Sequence, residues 1–119
     1  IIATGEWFKM ADPKEFFEQP GDHADEVETS VMMYYHPELV NLGEAGPGAG
    51  KGFRIEALKN HAVWMPRNWS MISPHDTGVG DPSRSTAEKG RRFAGAVTDR
   101  YARFLNDFAR VEKEADLYE

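Results

Sequence analysis

Asp22, His23, Asp25, Glu26 and Glu28 put one imidazole and four carboxylates into seven consecutive positions. Histidine is the side chain whose ordinary pKa lies closest to neutrality, and a carboxylate beside it fixes its tautomer and raises its basicity. The cluster therefore has the makings of a general acid–base pair, with His23 carrying the proton and Glu28 supporting it. The same residues admit a second reading. Acids gather at a helix N-terminus because the dipole and the free N–H groups there stabilise negative charge. That accounts for Asp22 and Asp25. It accounts less well for Glu28, which lies between Val27 and Val31 and so is expected to turn partly inward, where a carboxylate needs a partner. His23 is five residues from Glu28, too far round a regular helix, but it reaches Glu28 if it sits ahead of the cap and folds back over the first turn.

The remaining histidines have blander explanations. His36 precedes Pro37 at a helix end, His61 lies in a polar turn, and His75-Asp76 suits a turn that Gly78 and Gly80 complete. Of the tryptophans Trp7, Trp64 and Trp69, Trp7 is the best pocket candidate because it follows a strand end.

The elements that must position these groups can be read from periodicity. Ile1 to Gly5 is apolar and β-branched and reads as an interior strand ending in a loop. Asp12-Pro13 caps a short helix through about Phe17, which Pro20-Gly21 ends. Between Ala24 and Tyr35 apolar residues recur at Val27, Val31 and Tyr34, predicting a helix that His36-Pro37 terminates. Residues 43–52 are so rich in glycine that only a loop is expected. They are not a phosphate-binding Walker loop, because three residues separate Gly46 from Gly50 and Gly52 follows Lys51. Phe53 to Leu58, Ala62 to Met65 and Trp69 to Ile72 suggest short strands or extended loops. Ser85 and Glu88 form a capping box before a long helix with the stripe Phe93, Val97, Tyr101, Phe104, Phe108 and Val111.

At 119 residues the chain allows one domain at most, and 40% hydrophobic with 29% charged residues is a globular mixture. A net charge of -6 is the wrong sign for a nucleic-acid binder. The absence of cysteine removes disulfides and thiolate metal sites, so any metal must be held by His, Asp or Glu. No apolar run approaches the ~20 residues needed to span a bilayer, and no secretory leader is evident. A cytoplasmic location with no membrane partner is expected. The chain opens with Ile1-Ile2-Ala3 and no initiator Met, which suggests that something precedes it in the gene product.

Three pieces together resemble the C-terminal half of the creatininase (creatinine amidohydrolase) family, and they span nearly the whole chain. They are Glu6-Trp7 with Asp12-Pro13; His23-Ala24-Asp25-Glu26-Val27-Glu28-Thr29-Ser30 followed by Pro37-Glu38-Leu39-Val40; and Gly78-Val79-Gly80-Asp81-Pro82 leading to Ala87-Glu88-Lys89-Gly90. The resemblance implies a three-layer α/β/α fold, of which residues 1–119 would be the C-terminal half. It also implies a metal-dependent hydrolase cleaving a cyclic amide or related small ring, with zinc or manganese as the divalent ions, and a homo-oligomer, often a hexamer. His23 takes the place of the catalytic histidine that passes a proton to the scissile nitrogen, Glu28 that of its supporting carboxylate, and Trp7 that of an aromatic residue near the substrate. Creatininase itself has a further tryptophan shortly before the histidine, where this chain reads Gln19-Pro20-Gly21-Asp22. The departure favours a sister activity and leaves Asp22 as the substrate contact there. On the resemblance the family's metal ligands, a Glu-x-His pair, an Asp and a His-x-Glu segment, belong to its N-terminal half, and this chain, which has no Glu-x-His pair, would depend on that half as its partner. Two other readings of the chain are a non-catalytic α/β binding or assembly module and a ring-opening hydrolase of a carbocyclic or sugar-derived ketone.

Overall fold

The computed structural model describes residues 2–119, so Ile1, the first residue of the expected strand, lies outside it. Four α-helices are present among the described residues: α1 (Glu26–Tyr35), α2 (Glu56–Lys59), α3 (Trp69–Ile72) and α4 (Ala87–Phe108). Single 3-10 turns at Trp7–Lys9, Pro13–Glu15, Pro37–Leu39, Leu42–Glu44 and Glu114–Leu117 punctuate the loops between and around them.

The expected three-layer α/β/α arrangement is not what the chain adopts. No sheet forms among the described residues; extended pairing is confined to one antiparallel bridge between His23 and Val79. The error lies in reading apolar, β-branched segments as strands. An interior strand needs hydrogen-bonding neighbours on both sides, and residues 2–5 have none, with Ile2 93% exposed. The segment instead runs out over α4, where Gly5 meets the Tyr101 hydroxyl. Two of the later expected strands contain the short helices α2 and α3, while residues 62–68 remain irregular and exposed.

The core is built where α1 crosses α4. Phe93 is completely buried and receives three aromatic rings edge-on, Trp7 at 6.0 Å, Phe16 at 5.5 Å and Phe17 at 5.2 Å between centroids. Ala11, Val27 and Val97 complete the cluster. Burying a ring of that size is worth roughly 2–3 kcal/mol. The expected stripe is therefore engaged at its start, at Phe93 and Val97, and loosens toward Phe104, which is 37% exposed. The Asp12 cap forms as expected, accepting the Lys14 N–H at 3.0 Å, but it opens a single 3-10 turn because Phe16 and Phe17 turn away to pack on Phe93.

Polar contacts dock the start of α4 on α1. The cap of α4 is Thr86, which accepts the Lys89 N–H at 3.2 Å, one residue beyond the Ser85 expected from the capping box. Ser85 is occupied elsewhere, donating its buried hydroxyl to the Glu26 carbonyl at 3.3 Å. Ser30 Oγ accepts the Thr86 N–H at 3.1 Å. Gly90 lies so close to the Ser30 carbonyl that a Cβ there would overlap it.

Glu26 has no solvent exposure, and its carboxylate takes the Lys89 ammonium at 2.6 Å and the Gln19 N–H at 2.7 Å. Lys89 also reaches Glu18 at 2.8 Å and the Arg84 carbonyl at 2.8 Å. Lys89→Met should leave the Glu26 carboxylate buried without its cation and cost about 2 kcal/mol. Chemical denaturation of the two proteins measures it, and the loss should shrink when Glu26→Gln is added, because the stranded charge is then gone.

Candidate active site

Helix α1 starts two residues after the expected Ala24. Asp25 is the cap, accepting the Glu28 N–H at 2.9 Å, and its other carboxylate oxygen accepts the Gly21 N–H at 2.5 Å. Ala24, just before the cap, has a left-handed φ of 49°. This turn carries His23 back over the first helical turn, and the Glu28 carboxylate accepts the Ala24 N–H at 2.7 Å. His23 Nδ1 then stands 3.3 Å from Glu28 Oε2, each side chain nearly half exposed.

One detail reverses the expectation from spacing. Glu28 faces solvent rather than the interior, and the inward-facing carboxylate of the helix is Glu26. The face of α1 that meets α4 is set by Glu26, Val27 and Ser30, which leaves Glu28 on the flank. Residues without a sequence-visible partner supply the reason. Lys89 is 63 positions from Glu26 and makes burial of that carboxylate affordable.

The His23 backbone is fixed by the bridge: its N–H donates to the Val79 carbonyl at 3.1 Å, and the Val79 N–H donates to its carbonyl at 2.8 Å. Gly80 follows at φ 137° and packs against Asp25 and Gly21 so tightly that a side chain there would collide with both. On the imidazole's other side Trp69, at the start of α3, lies 5.0 Å away between ring centroids. The Arg67 guanidinium covers Trp69 at 4.6 Å and is paired with both carboxylate oxygens of Asp22.

Of the sequence-derived residues, His23 and Glu28 are thus brought together, and Asp22 stands beside them with its carboxylate engaged by Arg67. Trp7 is placed elsewhere in the fold, half-exposed against Phe8 and the core ring of Phe93. The aromatic neighbour of His23 is Trp69. Neither Trp69 nor Arg67 could be found from spacing, because Arg67 lies in an irregular segment and Trp69 at the start of the short α3 behind it, both more than 40 positions along the chain. His36 pairs with Glu38 at 3.2 Å at the end of α1, while His61 and His75 are exposed.

A cleft of about 390 Å³ opens on the Glu28 side, between α1 and the loop carrying Leu39, Val40 and Leu42, and is floored by Gly78 and Gly80. Asp76 holds that floor together, accepting the Ser73 hydroxyl at 2.9 Å, the Gly78 N–H at 3.1 Å and the Gly48 N–H at 3.4 Å. The Ser73 hydroxyl, then the Gly78 N–H, lower the Asp76 pKa below the usual carboxylate value. Glu18, through Lys89, and Glu88, through Arg91, are lowered in the same sense. A depressed folded-state pKa stabilises the fold fully above the ordinary carboxylate range and loses that stabilisation as pH falls through the folded value. Melting temperature should therefore change little between pH 7 and about 5 and begin to fall below about 4, which a series of thermal melts checks.

Among the described residues no three His, Asp or Glu side chains converge as a metal site would require. No described helix is long and apolar enough to cross a membrane.

The family model for creatininase, creatinine amidohydrolase, matches residues 3–105. A crystal structure of a Bacteroides fragilis protein, whose name assigns it provisionally as a creatinine amidohydrolase, is 45% identical and superposes with a TM-score of 0.85. The match covers 100% of this chain and 46% of that one, so the chain spans about half the length of this relative. No curated protein matches the chain.

Proposed function

The chain belongs to the creatininase family, and from that premise we propose that it forms the C-terminal half of a cyclic-amide hydrolase in which His23 carries the proton and Glu28 supports it. The observation that carries the reading is the 3.3 Å approach of Glu28 Oε2 to His23 Nδ1. A carboxylate at that nitrogen favours the tautomer with the proton on Nδ1, leaving Nε2 to exchange protons with substrate. Water adds to the amide carbonyl, the ring C–N bond breaks, and His23 takes the proton lost by the water and returns it to the departing nitrogen. The bridge to Val79 fixes the His23 backbone, and Trp69 on one side and Glu28 on the other flank its ring.

The family is generally metal-dependent, but this chain's residues do not fit a metal set. In this reading the divalent ions, zinc or manganese, are held by the N-terminal half, which is the chain's first partner, and no step above runs through them. The enzyme is read as cytoplasmic and oligomeric, on the family resemblance. The substrate is a small ring that fits the cleft beside Glu28.

Glu28→Gln keeps the side chain's size and its ability to accept the Ala24 N–H, but removes the charge beside His23. In the full enzyme, turnover of a cyclic amide should fall about tenfold or more. An unchanged rate would defeat the role given to Glu28.

A further inference from the structure

A second cleft, of about 790 Å³, reaches the His23 to Val79 bridge through Val79, and it carries a charge at odds with the protein around it. The chain's net charge is -6, yet the cationic residues lining this cleft are Lys51, Arg54, Lys59 and Arg67, against the single carboxylate of Asp22. Asp22 is consumed by Arg67, and Lys59 has only a 3.9 Å approach to Glu56. Lys51 and Arg54 pair with no carboxylate among the described residues. Walls lined by one sign of charge focus the field inside a cleft and concentrate counter-charged ligands there. Phe53, Met65 and Met71 supply an apolar lining between the cations. Asp22 and Val79, the chain neighbour and the bridge partner of His23, also line it, so the edge of the cleft runs to the histidine's backbone.

We propose that this cleft binds a small organic anion, its carboxylate or phosphate facing Lys51 and Arg54 and its apolar body lying on Phe53, Met65 and Met71. The binding rests on the cleft alone. Its use, as the handle that presents an acidic substrate's ring to His23, rests on the hydrolase reading above. Creatinine and other neutral rings would gain nothing from these cations, whereas a ring bearing an acidic substituent would be selected. The Arg67 guanidinium, held by Asp22 and stacked on Trp69, ties the cleft wall to the imidazole's aromatic neighbour, so occupancy and the His23 environment are linked through one side chain.

The test is titration of the full protein with benzoate, phenyl phosphate and neutral benzamide, followed by calorimetry and by backbone-amide shifts. Saturable binding of either anion, at least tenfold tighter than benzamide, with shifts at Lys51, Arg54 and Trp69, is the expected result. The tighter of the two anions identifies the headgroup as carboxylate or phosphate. Lys51→Gln combined with Arg54→Gln, both exposed, should weaken it at least tenfold, and binding should decline with added salt. Benzamide binding as tightly as the anions, or anion binding untouched by the double substitution, would overturn the proposal. The two claims fail separately: an unaltered full protein that binds benzoate but hydrolyses no cyclic amide sinks the hydrolase reading, and one that hydrolyses a cyclic amide but binds neither anion sinks the cleft.

Discussion

His23→Ala should abolish hydrolysis in the full enzyme, by a factor of roughly 10² to 10⁴, the range that a positioned proton carrier contributes. The protein should otherwise survive the change. Its backbone bridge to Val79 does not involve the imidazole, the helix cap is Asp25, and a half-exposed His23–Glu28 pair is worth at most about 1 kcal/mol of stability. Metal content measured on the variant should equal that of the parent, since no described residue near His23 belongs to a metal cluster. A non-catalytic binding or assembly module predicts the opposite pattern, a small loss of stability and nothing else. Steady-state rates, a denaturation curve and elemental analysis on one preparation decide between them. Retained turnover would remove His23 from the mechanism.

Gly90→Val should be the most damaging single change to the fold. Gly90 sits at the crossing of α1 and α4, where an added Cβ would fall well inside contact distance of the Ser30 carbonyl oxygen, and close behind it lies the Val31 nitrogen. These are backbone atoms of a packed helix and cannot swing aside as a flexible side chain would. The helices must separate, and separation uncouples the Ser85 to Glu26 and Thr86 to Ser30 hydrogen bonds and loosens the seat of Phe93. An expected loss of about 3 kcal/mol or more combines overpacking with those broken contacts. In a small domain that is a large part of the total stability. The control is Gly95→Ala on the same helix. No atom lies near its added methyl group, so alanine's better helix propensity should make that variant equal to the parent or more stable by up to about 1 kcal/mol.

The two longer helices were legible in the sequence because each satisfies several local rules at once. Around α1, Asp25 caps, Val27 and Val31 keep the period, and His36-Pro37 stops the chain. For α4 the same holds of the Ser85-Thr86 neighbourhood and the Phe93 to Val97 step. The meeting of His23 with Glu28 was also legible, since it needs only a turn ahead of the cap, and Ala24 supplies it. What local rules could not supply were the long-range partners. Glu26 rather than Glu28 is the buried acid because Lys89, 63 positions away, comes to meet it. Trp69 rather than Trp7 faces the histidine because residues 64–68 carry α3 back to it, in a stretch with no periodicity to read. The α/β/α expectation failed for a related reason: an apolar β-branched run specifies a strand only in combination with a neighbour, and residues 2–5 have none among the described residues.

The Val79 bridge and the Gly80 contact with Asp25 divide labour in a way that matters for how such a protein changes over generations. The proposed proton carrier and its carboxylate are anchored on α1, which α4 clamps, whereas the other wall of the first cleft is drawn from the separate stretch around Leu39 to Ala45. Replacements along that wall leave the histidine's supports untouched. If the proposed hydrolase reading holds, substrate preference can therefore drift, or be varied in a library, while the His23–Glu28 pair is inherited unchanged.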